Sequence, residues 1–93
     1  MTAQSDDLIE IRLEIDNAAG GLSKIVLEPW ADEIDIRKGD RVSLLASGPR
    51  EGARIDQECE EGVLILHAWR GWTFSVSLND RKIATASTAI PSI

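Results

Sequence analysis

A chain of 93 residues, 43% of them apolar, is the size of one domain, and ordering it costs about 1–2 kcal/mol per residue in backbone entropy. Nearly all the apolar side chains, at about 1.5–3 kcal/mol each when fully buried, are needed to offset that cost, which excludes a large internal ligand cavity and leaves shallow surface sites. The formal charge of −6 excludes a general nucleic-acid binder, because affinity for phosphates rests on Lys and Arg.

Charge is unevenly distributed. Residues 1–62 carry 15 acids and 7 bases, and residues 63–93 carry 1 acid and 3 bases. The acidic part reads either as a solvated surface or as a face complementary to a basic protein. Cys59 is the single cysteine, so an internal disulfide framework is excluded. The opening MTAQSDDLIEIRLEID has neither the basic start nor the apolar stretch of a signal peptide, and no apolar run reaches membrane-spanning length. The expectation is a soluble, reduced, cytoplasmic protein.

In chain order, residues 8–16 alternate between Ile9, Ile11, Leu13, Ile15 and Glu10, Arg12, Glu14, Asp16, which predicts a half-buried strand. Asn17–Gly21 supply a turn, and 23–28 form a second strand that would pair with the first, Leu13 opposite Ile25 and Ile11 opposite Leu27. Pro29 interrupts any central strand. Trp30 follows it into the acidic link 31–33, Ile34 and Ile36 resume the alternation, and Lys38-Gly39-Asp40 turns the chain into a strand through Val42 and Leu44. Residues 47–52, SGPREG, read as loop.

Two further turns predict registers. Glu60-Glu61-Gly62 fits a three-residue loop with Gly in the left-handed position, placing Cys59 opposite Val63, Gln57 opposite Ile65 and Ile55 opposite His67. Arg70-Gly71 fits a two-residue turn that pairs Trp69 with Trp72, His67 with Phe74, Ile65 with Val76 and Val63 with Leu78. This ribbon would set His67 in an apolar face and leave Leu64 and Leu66 outside, beside Asp56 and Glu58. Asn79-Asp80 suit another turn, 82–86 a last strand, and 87–93 an extended end. Without a helix-period stretch or an internal repeat, the chain reads as all-β. It would be a single-domain (1–93) antiparallel β-sandwich of seven or eight short strands, or alternatively a small barrel.

Segment 25–45, IVLEPWADEIDIRKGDRVSLL, resembles the early strands of cupredoxin-like sandwiches, where a Pro-containing segment leads through Ile34, Ile36 and the Gly39-Asp40 turn into a strand beginning at Val42. The resemblance implies sandwich topology. It does not extend to copper, because that family needs a His soon after this strand and a later Cys, His and Met cluster, while this chain has only Met1, Cys59 and His67.

On the expected ribbon the only imidazole lies between Ile55 and Phe74. The thiol lies on the same face but four residues along, about 13 Å away, so a Cys-His nucleophile pair is not expected. Asp32, Glu33, Asp35, Asp6 and Asp7 are oxygen-rich but lack the ordered spacing of a calcium loop. Trp30 either caps one end of the sandwich or stands out as a binding anchor. These readings converge on a noncatalytic binding or protein-interaction module, with Trp30, Leu64, Leu66, Asp56 and Glu58 as its candidate surface and no cofactor, metal, nucleic acid or membrane called for. Its partner would be a protein, basic in character, or a second copy held through an edge strand. The alternatives are an acidic antidote to a basic enzyme such as a nuclease toxin, and a metal site built from surface carboxylates.

Overall fold

In the computed structural model, which describes residues 8–92, eight strands and one helical turn follow one another along the chain. They are β1 (Leu8–Asp16), β2 (Lys24–Glu28), β3 (Asp32–Asp35), β4 (Arg41–Pro49), β5 (Ile55–Glu60), β6 (Val63–Ala68), β7 (Thr73–Leu78), β8 (Arg81–Ile83) and α1 (Ala86–Ala89). Two four-stranded sheets result, ordered β1-β4-β7-β8 and β3-β2-β6-β5, so the protein is all-β and not a closed barrel. No helix among the described residues is long and apolar enough to cross a membrane.

Alternation decides which side chains enter the space between the sheets. Ile25, Leu27, Ile34, Ile36 and Leu66 from one sheet and its flank meet Val42, Leu44, Ala46, Trp72, Phe74 and Val76 from the other, all buried. At about 25 cal/mol per Å² of apolar surface removed from water, this interleaved layer dominates the stability of the fold. The sheet beginning with β1 is antiparallel throughout, whereas in the other sheet β2 and β6 run parallel, Ile25 beside Leu64 and Leu27 beside Leu66.

The parallel pair corrects two expected hairpins. β1 does not pair with β2: Leu13 lies opposite Leu44 and Ile11 opposite Ala46, and Ile25 lies opposite Ile34 and beside Leu64. Both apolar rows still face the core, but from opposite sheets. The crossing is held by Asn17, buried, whose Nδ2 donates to the carbonyls of Leu22 (2.8 Å) and Arg37 (2.9 Å) while its Oδ1 accepts from Leu22 N (2.9 Å).

Nor do β6 and β7 form a ribbon. Trp72 N donates to Trp69 O across the Arg70-Gly71 turn, and only Gly71 is left-handed (φ 82°). A turn with positive φ at its second central residue alone does not match the twist of paired strands, and here it carries the chain from one sheet to the other. By contrast the Asn79-Asp80 turn, with φ of 50° and 69°, closes the expected β7–β8 hairpin.

The β5–β6 hairpin forms, one residue out of the expected register. Glu61 and Gly62 both have positive φ (53° and 81°), a two-residue turn that fits strand twist. Glu60 therefore meets Val63, Glu58 meets Ile65 and Asp56 meets His67, while Cys59, Gln57 and Ile55 meet Leu64, Leu66 and Ala68. A one-residue slip exchanges the faces of a strand, so Leu64, Leu66 and Ala68 point inward and Val63, Ile65 and His67 outward. At the chain end the strand expected over 82–86 is shorter, and 86–89 form a helical turn whose Ala86 and Ser87 amides donate to the Asp32 carboxylate (3.2 and 2.8 Å).

Candidate interaction face

The outer face of the β3-β2-β6-β5 sheet is built in three rows. Register places Asp35, Lys24, Val63 and Glu60 in one row, Glu33, Val26, Ile65 and Glu58 in the next, and Glu28, His67 and Asp56 in the third. Strand pairs in register share a face, so Val26, Val63 and Ile65 form an aliphatic centre, each of them half-buried. Carboxylates on β3 and β5 bound it on both sides. The pattern follows from E-x-D in β3 and D-x-E-x-E in β5, which send every acid of those spacings to one side.

Three cationic contacts partly neutralise the rim, and a fourth contact adds a hydrogen bond. Lys24 Nζ lies 2.7 Å from Glu33 and 3.8 Å from Asp35. The hydrogen bond to Glu33, reinforced by the charge of Glu33 and then of Asp35, raises the Lys24 pKa above its ordinary 10.5. A raised pKa means the pair supports the fold below about pH 10.5 and is lost as pH climbs past the shifted value. Arg54 Nη2 bridges to Asp56 at 3.0 Å, and His67 Nε2 lies 2.7 Å from Glu58 Oε1. Glu28 and Glu60 have no ion-pair partner among the described residues. The face therefore keeps a negative balance around an apolar middle.

Several expected site residues lie elsewhere. Leu66 is 1% exposed in the core and Leu64 is half-buried against it; neither lies on the outer face, because the β5–β6 register differs by one residue. Asp56 and Glu58 do lie on that face. Trp30 is half-buried and caps the end of the sandwich, its Nε1 donating to Ile90 O (2.6 Å) and its ring 5.4 Å from that of Phe74. His67, expected among Ile55 and Phe74, instead sits between Glu28 and Asp56 with Glu58 in contact. Cys59 is exposed and shares the face of Leu64, so thiol and imidazole project from opposite faces of the sheet.

Asp32, Glu33 and Asp35 do not converge. Asp32 caps α1 while the other two approach Lys24, and Asp6 and Asp7 lie outside the described residues. No group of three His, Cys, Asp or Glu among the described residues is placed to hold a metal ion.

Residues that sequence reasoning missed are Val26, Val63 and Ile65, the middle of the face; on its rim, Glu33 and Asp35 read from sequence only as oxygen-rich residues, and Glu28 and Glu60 only as strand and turn residues within the acidic charge. A second feature is Trp69, 41% exposed at the sandwich tip. The Arg54 guanidinium lies 5.5 Å from its ring, and an open depression of about 550 Å³ lined by Pro49, Glu51, Gly52, Arg70 and Gly71 adjoins it. No family model, curated protein or solved structure matches this chain.

Proposed function

We propose that this protein is a noncatalytic interaction module that captures a basic protein partner on the outer face of its β3-β2-β6-β5 sheet. The observation that carries the reading is the arrangement of that face: an aliphatic centre of Val26, Val63 and Ile65 with carboxylates at the edge-strand end of every row. Buried apolar centres supply most of the energy of protein interfaces, and a charged rim supplies orientation and fast encounter. A partner presenting Lys and Arg around an apolar patch matches both features. An acidic antidote to a basic enzyme is one form of this activity, and the exposed lone Cys59 suits the reducing environment of a cytoplasm.

The test is capture from the native lysate with the wild-type chain and with Glu58→Lys/Glu60→Lys and Ile65→Asp variants, each checked for retained folding by circular dichroism. The expected result is a stoichiometric basic protein that is lost from both variants and released from the wild type between about 50 and 500 mM salt, as screening shortens the reach of exposed charges. Capture that both folded variants retain, or that is indifferent to salt, rejects this reading.

A further inference from the structure

The sheet edges are not equivalent. β8 has three residues and β3 four, and β5 lines one side with Asp56, Glu58 and Glu60. β1 runs nine residues, pairs with β4 without a bulge, and contains neither Pro nor Gly nor an inward charge. These are the devices by which edges are kept from pairing. The outward row of β1, Glu10, Arg12, Glu14 and Asp16, is charged like that of β5 but carries both signs, so a strand of complementary pattern can meet it. Its inward row, Ile9, Ile11, Leu13 and Ile15, is only half-buried, whereas Val42, Leu44 and Ala46 opposite are fully buried.

Backbone direction follows from Asn17, whose N–H donates to Asp40 O at the end of the β1–β4 pair (2.9 Å). Successive residues alternate in the side to which they offer N–H and C=O, so Leu8, Glu10, Arg12, Glu14 and Asp16 offer theirs away from β4. Among the described residues no strand receives them.

Two antiparallel copies of β1 join through those groups only if even-numbered residues oppose one another, which leaves a few two-fold registers near the strand centre. A dyad at Arg12 opposes Arg12 to itself and Glu10 to Glu14. A dyad at Leu13 pairs Arg12 with Glu14 but sets Glu10 against Asp16. A dyad at Ile11 sets Glu10 opposite Arg12 twice and Leu8 opposite Glu14, with no like charges facing among the described residues. It also lays Ile9 beside Leu13 of the second copy and closes the aliphatic row.

We propose that the second copy of this chain is the occupant of this edge: two protomers join β1 to β1 about a dyad at Ile11, making one continuous eight-stranded sheet. Opposite-charge pairs on a shared face stabilise strand pairing and like pairs weaken it, so the charges of the described residues favour this register.

Sedimentation equilibrium tests the dimer. The wild type is expected at twice the monomer mass, Arg12→Glu to raise the dissociation constant about tenfold or more, and the Glu10→Arg/Arg12→Glu double exchange to restore it. Cysteine scanning in a Cys59→Ser background tests the register. Ile11 faces itself in a non-hydrogen-bonded pair, where Cα atoms lie about 4.5 Å apart and a disulfide forms without distortion, so mild oxidation is expected to link Ile11→Cys but not Ile9→Cys or Leu13→Cys. A wild type that stays monomeric at millimolar concentration, or cross-linking no greater at position 11 than at 9 and 13, overturns the proposal.

Discussion

Two single residues hold the crossings between sheets in place, one by being small and the other by its amide. A Cβ built on Gly48 lies 2.5 Å from Cγ of the fully buried Trp72, so Gly48→Ala must push the indole or the strand aside. Overpacking of this kind costs about 1–3 kcal/mol or more, and urea unfolding followed by tryptophan fluorescence is expected to show a lower midpoint. Asn17→Ala leaves the Leu22 N–H and the Leu22 and Arg37 carbonyls without the side-chain partner they now have. At about 1–3 kcal/mol per unsatisfied buried group, a loss of about 2–3 kcal/mol is expected by the same measurement. Sequence reading marked Asn17 as a turn residue and missed its role as an anchor, because its partners lie up to 20 residues away.

At the scale of elements, strand positions were legible and several pairings were not. β1 announced itself through strict alternation, and the β7–β8 turn through Asn-Asp. β6 is apolar on both faces, so periodicity did not say which face turns inward. Choosing a three-residue over a two-residue loop at Glu61-Gly62 then reversed the assignment of Leu64, Leu66 and His67. Parallel pairing of β2 with β6 left no local signal, since the strands are joined through three other elements.

The turn before β4 carries the pH prediction. Asn79 Nδ2 donates to Asp40 Oδ1 (3.0 Å) and Arg37 N to Oδ2 (2.7 Å), and these bonds, the first foremost, lower the Asp40 pKa below 3.8. A lowered pKa means the stabilisation is present above the unfolded value and lost as pH falls through the folded one. Asp40→Asn is expected to be less stable than wild type at pH 7. Its urea midpoint is expected to fall less steeply below about pH 4.

For the molecule as a whole, the two surfaces proposed for recognition belong to different sheets. β1 edges one sheet and the acid-rimmed face covers the outside of the other, so a β1 dimer keeps both acidic faces open. Two linked copies of a weak site raise apparent affinity through effective concentration when the target offers two basic patches at matching separation. Arg12→Glu is therefore expected to weaken capture of such a partner while leaving a one-patch partner unaffected, a comparison read by titration calorimetry with each. The acidic charge was legible in the sequence, but the rows it forms and the apolar middle they surround emerged only with the register.

The three tryptophans share one end of the sandwich at three depths: Trp72 sealed, Trp30 half-covered beneath the Ile90 carbonyl, Trp69 open beside Arg54. That end is in consequence a built-in optical gauge. A dissolved quencher removes the red-shifted emission of the outermost indole while the protein is folded, so quenching of the blue-shifted emission that remains reports the opening of the tip around Trp72.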